Sequence, residues 1–382
     1  LPLRIGDSWN RDVQRRSLRT MTDYPRDMMT NLPEMLRSGL LATTGLVLGA
    51  ALLLAGPPAK AEDAACKLHK IDLGEGKSMM GGCAPLHIAL LMAASNNTHL
   101  QSGIKGAQEA AAKIGATLDV FDPNWSPSVQ YNQTQNVISS GKYNAIVAEM
   151  NDGNQACKIL TDTASAHGVL VAVANEPICD RAANEGEALW APGTLNFVGG
   201  SQGRGPFRDW IMAIAQANPG PQKVAVVTGP DLNANTINTD LALKDVQAKY
   251  PDFKIAAVVR TDYSVVQGNS KTLPLFQANP DLTILISNYS DMTRGAVQAA
   301  KQVGVLNNGR LKIYDSGGNV WSFQAVKQNM IDSTRTLVPY TEMYESVIQL
   351  GDAWAGKPVP RVTPLEVHDI TKANVDSLKP QY

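Results

Sequence analysis

Ile88 to Ala93 is a run of six apolar residues without a charge, set inside the stretch HIALLMAASNNTHL. Such a run reads as a strand buried on both faces, which a parallel sheet covered by helices on either side provides. Small and polar residues, Ser95 to His99, follow at once, and then a helix-like run from Gln101 to Gly115. In such a sheet ligands sit in the crevice at the carboxyl ends of the strands, so Asn97 and His99 are expected to face a cleft. Asparagine supplies a donor and an acceptor and imidazole a flat face, which suits a hydroxylated small molecule. The same residues would also serve simply to turn the chain and cap the helix.

The pattern recurs. Apolar runs at Thr117 to Phe121, Ala145 to Met150 and Val169 to Ala174 alternate with helix-like segments from Gln101, Ser126 and Asn154, which stop near Gly115, Gly141 and Gly168. Four βα units in series predict a doubly wound parallel sheet. From Glu176 to Gly205 the chain turns polar around the apolar pair Phe197-Val198, which reads as a crossover. A helix from Phe207 to Ala217 then opens a second set, with runs at Lys223 to Thr228, Phe253 to Val259, Leu282 to Ser287 and Leu311 to Tyr314. Helices from Thr236, Val265, Met292 and Val320 alternate with them, so the fold class is α/β, in two similar halves. Thr334 to Val338, a helix from Tyr340 to Ala355 and a Pro-rich tail, Lys357 to Pro364, complete the chain and offer a further crossing between lobes.

Upstream, MLRSGLLATTGLVLGAALLLAGPPAKA, residues 35–61, has a basic start, an apolar run and an A-x-A end, the pattern of a secretory signal cleaved after Ala61. The apolar run, Leu40 to Leu54, is short for a membrane span, although a retained anchor is the alternative. Pro57 stands where a lipoprotein signal needs cysteine. Residues 1–34 show no sustained periodicity and read as an untranslated or disordered upstream segment. Export makes two disulfides the expectation for Cys66, Cys83, Cys157 and Cys179, paired as Cys66 with Cys83 and Cys157 with Cys179 because each pair is close in sequence. Metal binding competes, but no C-x-x-C spacing occurs. Residues 62–86 read as a Gly-rich loop held by the first disulfide. Gly76-Lys77-Ser78 is not a phosphate loop, since Ile71 stands where its first glycine belongs.

A net charge of −1 with no long basic run argues against nucleic acid. H-E-x-x-H, G-x-S-x-G and a G-x-G-x-x-G after a strand are all missing, and the five histidines show no ligand spacing. GGSQGRG, residues 199–205, follows a crossover rather than a core strand and is a weak dinucleotide signal. No enzyme activity, cofactor or metal is therefore expected.

IALLMAASNNTHLQSGIKGAQEAAAKIGATLDVFD, NQTQNVISSGKYNAIVAEMNDGN and HGVLVAVANEP resemble the first lobe of the sugar-binding receptors of bacterial ABC importers, the type I periplasmic binding proteins that include the ribose-binding protein. TDYS before a helix, ANPDLTILISNYSDMTRGAVQAAKQVG and IYDSGGN match the second lobe in order, so the resemblance spans nearly all of the chain after the signal. It implies two Rossmann-like lobes joined by a three-strand hinge, with ligand clamped between them and handed to ABC permease subunits in the membrane. The crossings would fall near Phe197 to Gly200, Val338 to Pro339 and Arg361 to Pro364. One lobe would hold residues 87–199 with 339–362, the other 200–338 with 363–382. The family's cleft positions land on Asn97, His99, Glu149, Asn175, Glu176, Tyr263, Asn288 or Tyr289 (the register leaves both open), Tyr314 and Asp315.

Ribose receptors carry cleft arginines, and here Glu176 holds one such position while Asn233 to Asn238 supplies no arginine for the other. With Glu149, Glu176 and Asp315 near the cleft, an anionic ligand is disfavoured. A neutral monosaccharide or polyol is the expectation, with an amine-bearing cargo as the alternative. Tyr263, Tyr289, Tyr314, Trp125, Trp190 and Trp321 are the aromatics within reach of strand ends, to cover a sugar's C–H faces or simply to plug a lobe. Such receptors are usually monomers, and some hand their ligand to a chemoreceptor or sensor kinase instead of a permease.

Overall fold

The computed structural model describes residues 67–382. The signal peptide, the upstream segment and Cys66 lie outside the described residues. Cys83 is disulfide-bonded, and Cys157 is bonded to Cys179 across 22 residues.

The lead-in is not the loop that its glycines suggest. Strands β1 (His69–Gly74) and β2 (Lys77–Gly81) form an antiparallel hairpin. Gly74, Glu75 and Gly76 turn it with positive φ angles of 80°, 51° and 77°, a conformation glycine adopts freely. Alternation buries Ile71, Leu73 and Met79 in the core of the first lobe. Arg361 clamps the hairpin's edge through the Asp72 carboxylate.

The first sheet runs β13-β7-β6-β5-β3-β4 and is parallel throughout. Its strands are β3 (His87–Leu91), β4 (Thr117–Phe121), β5 (Ala145–Ala148), β6 (Leu170–Asn175), β7 (Asn196–Gly199) and β13 (Val362–Pro364). β5 and β6 are buried along their whole length, as charge-free runs demand. Helices α1 (Thr98–Lys113) and α9 (Pro339–Trp354) pack together over one face. They approach so closely that a Cβ on Gly106 would stand 2.2 Å from the Tyr340 carbonyl oxygen. Helix α2 (Pro127–Ser139) belongs to the core of the opposite face. The helix expected from Asn154 has α-geometry at Cys157 and Lys158, passes through a π turn (Ile159–Thr163) and returns to α-geometry over α3 (Ala164–Ala166). There Thr161 Oγ1 donates back to the Cys157 carbonyl at 3.0 Å, a bond that competes with the helical ladder.

The second sheet runs β14-β12-β11-β10-β8-β9, parallel except for its edge strand β14. It comprises β8 (Gln222–Thr228), β9 (Phe253–Arg260), β10 (Ile284–Ser287), β11 (Lys312–Gly317), β12 (Ser333–Thr336) and β14 (Asp369–Thr371). Helices α4 (Arg204–Ala217), α5 (Ala234–Lys249), α6 (Val265–Ala278), α7 (Ser290–Gln302) and α8 (Val320–Lys327) cover it. The chain passes between the sheets three times: after β7, after β12 and after β13. The last passage comes after Pro364, because β13 pairs with β7 through that residue, two positions beyond the boundary drawn at 362.

Candidate functional site

Both sheets direct their carboxyl ends toward one another, and a small cavity lies there, where parallel sheets meet their ligands. From the first lobe, Asn97, His99, Leu100, Trp125, Glu149, Asn175 and Glu176 line it; from the second come Gln202, Asn233, Asn235, Tyr263, Tyr289 and Leu337. No lysine or arginine is among them.

Each polar group is held by its neighbours. Asn97 caps α1, its Oδ1 accepting from the Leu100 amide at 2.9 Å, so the capping and cavity-lining readings both apply to it. His99, in the first turn, is 8% exposed, and burial pulls its imidazole down to about 4, leaving it neutral at ordinary pH. Its Nδ1 has no hydrogen-bond partner. Glu149 follows β5 and Asn175 ends β6. Asn175 Nδ2 donates to Glu149 Oε1 at 2.8 Å, and its Oδ1 accepts from Gln202 Nε2 at 2.8 Å. Glu149 Oε2 is buried without a partner.

Glu176 reaches the other lobe. Its carboxylate accepts from Asn233 Nδ2 and, at 3.1 Å, from the Ala234 amide at the start of α5. Burial, rather than any nearby cation, dominates these carboxyls. It pushes Glu149 up to about 7, and with the neighbouring Glu149 charge it pushes Glu176 up to about 8.

The rings form a wall across the lobes. Trp125 and Tyr263 lie 5.4 Å apart between centroids, tilted by 34°, and Tyr263 meets Tyr289 edge-on at 5.9 Å. Tyr263 Oη donates to Asn233 Oδ1 at 2.8 Å. Trp125, Asn175 and Tyr263 hold left-handed backbones, with φ of 64°, 59° and 61°. For a tryptophan or a tyrosine this is an uncommon conformation, and such strain collects where ligands are gripped.

Three expected positions are not brought to the cavity. Asn288 is buried beside β8, its Nδ2 donating to Thr239 Oγ1 at 3.1 Å; the residue after it, Tyr289, faces the cavity. Tyr314 sits mid-strand in the core beside Phe207 and Trp210, its Oη accepting from Asn218 Nδ2 at 2.8 Å. Asp315 turns inward and accepts from the hydroxyls of Ser290, Thr293, Ser322 and Thr334. Both precede the strand's end at Gly317, so they stop short of the crevice. Trp190 stacks under Arg361 at 4.4 Å and Trp321 packs on the second lobe's core. Neither lines the cavity. Gln202, Asn233 and Asn235 were not singled out from the sequence, although Asn233 and Asn235 follow β8 at its carboxyl end, where the strand-end rule points.

Two doubly wound lobes, three crossings and a cavity at facing strand ends define a two-lobed ligand-binding protein. A sequence model of the periplasmic binding protein domain matches residues 88–358, and the chain belongs to that family. No curated protein matches it. Among solved structures, the chain is similar to an ABC transporter periplasmic solute-binding protein from Actinobacillus succinogenes 130z with bound D-allose. The TM-score is 0.66 and the identity 21%, over 77% of this chain and 100% of the other. An ABC transporter solute-binding protein from Mycobacterium smegmatis with bound glycerol gives 0.67 and 20%, over 77% and 97%. A Caulobacter myo-inositol-binding protein gives 0.68 and 17%, over 78% and 98%. At these identities the likeness establishes the fold. Among the described residues no helix is long and apolar enough to cross a membrane, and no group of His, Cys, Asp or Glu could hold a metal ion.

Proposed function

We propose that this protein is the substrate-binding receptor of a bacterial ABC importer. It closes two lobes over a small polyhydroxylated ligand of the sugar or polyol class that carries no negative charge, and delivers it to the membrane permease. The observation that carries the reading is the cavity itself, lined by amide, carboxyl and ring side chains from both lobes and by no cation. Carboxyl and amide groups fix hydroxyls, while Trp125, Tyr263 and Tyr289 offer apolar faces to a sugar's C–H bonds. The bound D-allose, glycerol and myo-inositol of the similar structures favour the same ligand class. Family membership and the signal-like pattern of residues 35–61 support action in the periplasm.

The test is a thermal-shift screen of the purified protein against pentoses, hexoses, polyols, amino sugars and sugar acids. A ligand that binds only the fold adds about 4 kcal/mol of stability at a thousand times its dissociation constant, a shift of several degrees. Selective shifts with sugars, polyols or their amino forms are expected. Shifts with sugar acids alone would overturn the charge reasoning, and none with any class would overturn the ligand assignment.

A further inference from the structure

Two carboxyl groups, Glu149 and Glu176, line the cavity with no cation beside them. Behind Glu149 and Glu176 stands a third, Glu342 of α9, only 3% exposed. Its Oε1 comes so close to the hinge residue Gly199 that a Cβ there would lie 2.7 Å away. Each of the three is held above its ordinary value by burial; Glu149 raises Glu176, both raise Glu342, and no cation acts on any of them. A carboxylate buried without a counter-charge is strongly disfavoured.

We infer that the ligand carries a protonated amine beside its hydroxyl groups: an amino sugar or amino polyol whose ammonium group docks at Glu149 and Glu176 against the rings of Trp125, Tyr263 and Tyr289. This rests on the receptor reading above. Glu149 Oε2, buried and unpartnered, is open to a hydrogen bond from the ligand, and an ammonium group donates one while stabilising the ionised carboxylate. Among the described residues no group of acids is arranged for a metal ion, so the missing positive charge belongs to something larger. Ring faces attract an ammonium group through their quadrupole, an interaction a neutral hydroxyl lacks.

The experiment compares matched pairs by isothermal titration at pH 7.5: D-glucosamine with D-glucose, D-galactosamine with D-galactose, glucamine with sorbitol, and serinol with glycerol. Within a binding pair the amine is expected to bind about 10- to 100-fold more tightly, the difference a charged hydrogen bond makes. Glu149→Gln should remove most of that advantage, weakening the amine about tenfold or more relative to its neutral partner. Should that variant fold poorly, wild type titrated at pH 6 in buffers of different ionisation heat gives a second readout. Amine binding should release protons from the glutamates to the buffer, and neutral binding should release none. Neutral members binding as tightly as their amines, or no proton release, would overturn the inference and leave the receptor standing. No binding by any member would remove both.

Discussion

Replacing Glu149 by glutamine should stabilise the protein at alkaline pH and do little at acid pH. The amide keeps the carboxyl's shape, and its oxygen can still accept from Asn175 Nδ2, now at 2.8 Å. What disappears is an ionisation that the fold resists. Glu149 gives up its proton at about 7 rather than at 4.5. A carboxyl raised in this way contributes stability that is fully present below pH 4.5 and is lost as pH rises to about 7. At about 1.4 kcal/mol per pK unit, the ionised fold is penalised by about 3 kcal/mol. The groups facing Glu149 are Glu176, Glu342 and the neutral His99. His99 acts oppositely, since its lowered value makes stability fall as pH drops from 6.5 through about 4. It is common to both proteins and drops out of their difference. Removing the Glu149 charge also eases ionisation of Glu176 and Glu342, which enlarges the effect. Urea unfolding followed by tryptophan fluorescence from pH 5 to pH 8.5 measures the gap between variant and wild type. A gap that opens with pH is expected. One that stays flat, or favours wild type as pH rises, would refute the assignment of Glu149 as an uncompensated buried acid.

Other parts of the molecule yield narrower tests. Replacing Cys157 and Cys179 together by alanine should cost about 3 kcal/mol in urea unfolding, because the bond closes a 22-residue separation. Asp315→Ala should cost on the order of 3 kcal/mol by stranding four buried hydroxyls, while ligand affinity of the folded fraction stays at the wild-type value. Tyr263→Phe loses the hydroxyl's bonds to Asn233 and Thr236, about 1–2 kcal/mol of stability, and should keep ligand affinity; Tyr263→Ala loses the ring and should weaken binding about tenfold or more by titration calorimetry.

The two-lobed α/β architecture was legible because its strands are buried on both faces. Charge-free runs such as Ile88 to Ala93 announce themselves, and the helices between them stop at glycines such as Gly115 and Gly168, whose φ values are 69° and 73°. The β1–β2 hairpin escaped because its apolar residues alternate over only a few positions and a Gly-rich turn separates them. Its stability comes from the core it joins and from Arg361, far away in sequence. The segment after Asn154 escaped for a local reason: composition cannot show that Thr161 turns its hydroxyl back onto the chain.

Strand ends explain which site residues could be read. Glu149, Asn175 and Glu176 sit where β5 and β6 finish, and the rule that ligands meet parallel sheets there needs only the strand's last residue. Tyr314 and Asp315, placed at the cleft by the family resemblance, do not reach it, because β11 runs on to Gly317 and so carries both below the crevice. A one-residue register separates Tyr289, in the cavity, from Asn288, bonded beneath it. Glu342 lay beyond reach altogether. It belongs to a helix that follows a crossing, and only the packing of α9 against the hinge at Gly199 brings its carboxyl within the field of Glu149 and Glu176. A buried acid on an amphipathic helix looks like any solvated one until the fold removes its water. That is why the charge excess of this site is a property of tertiary structure, and why the ligand's own charge can be argued only from there.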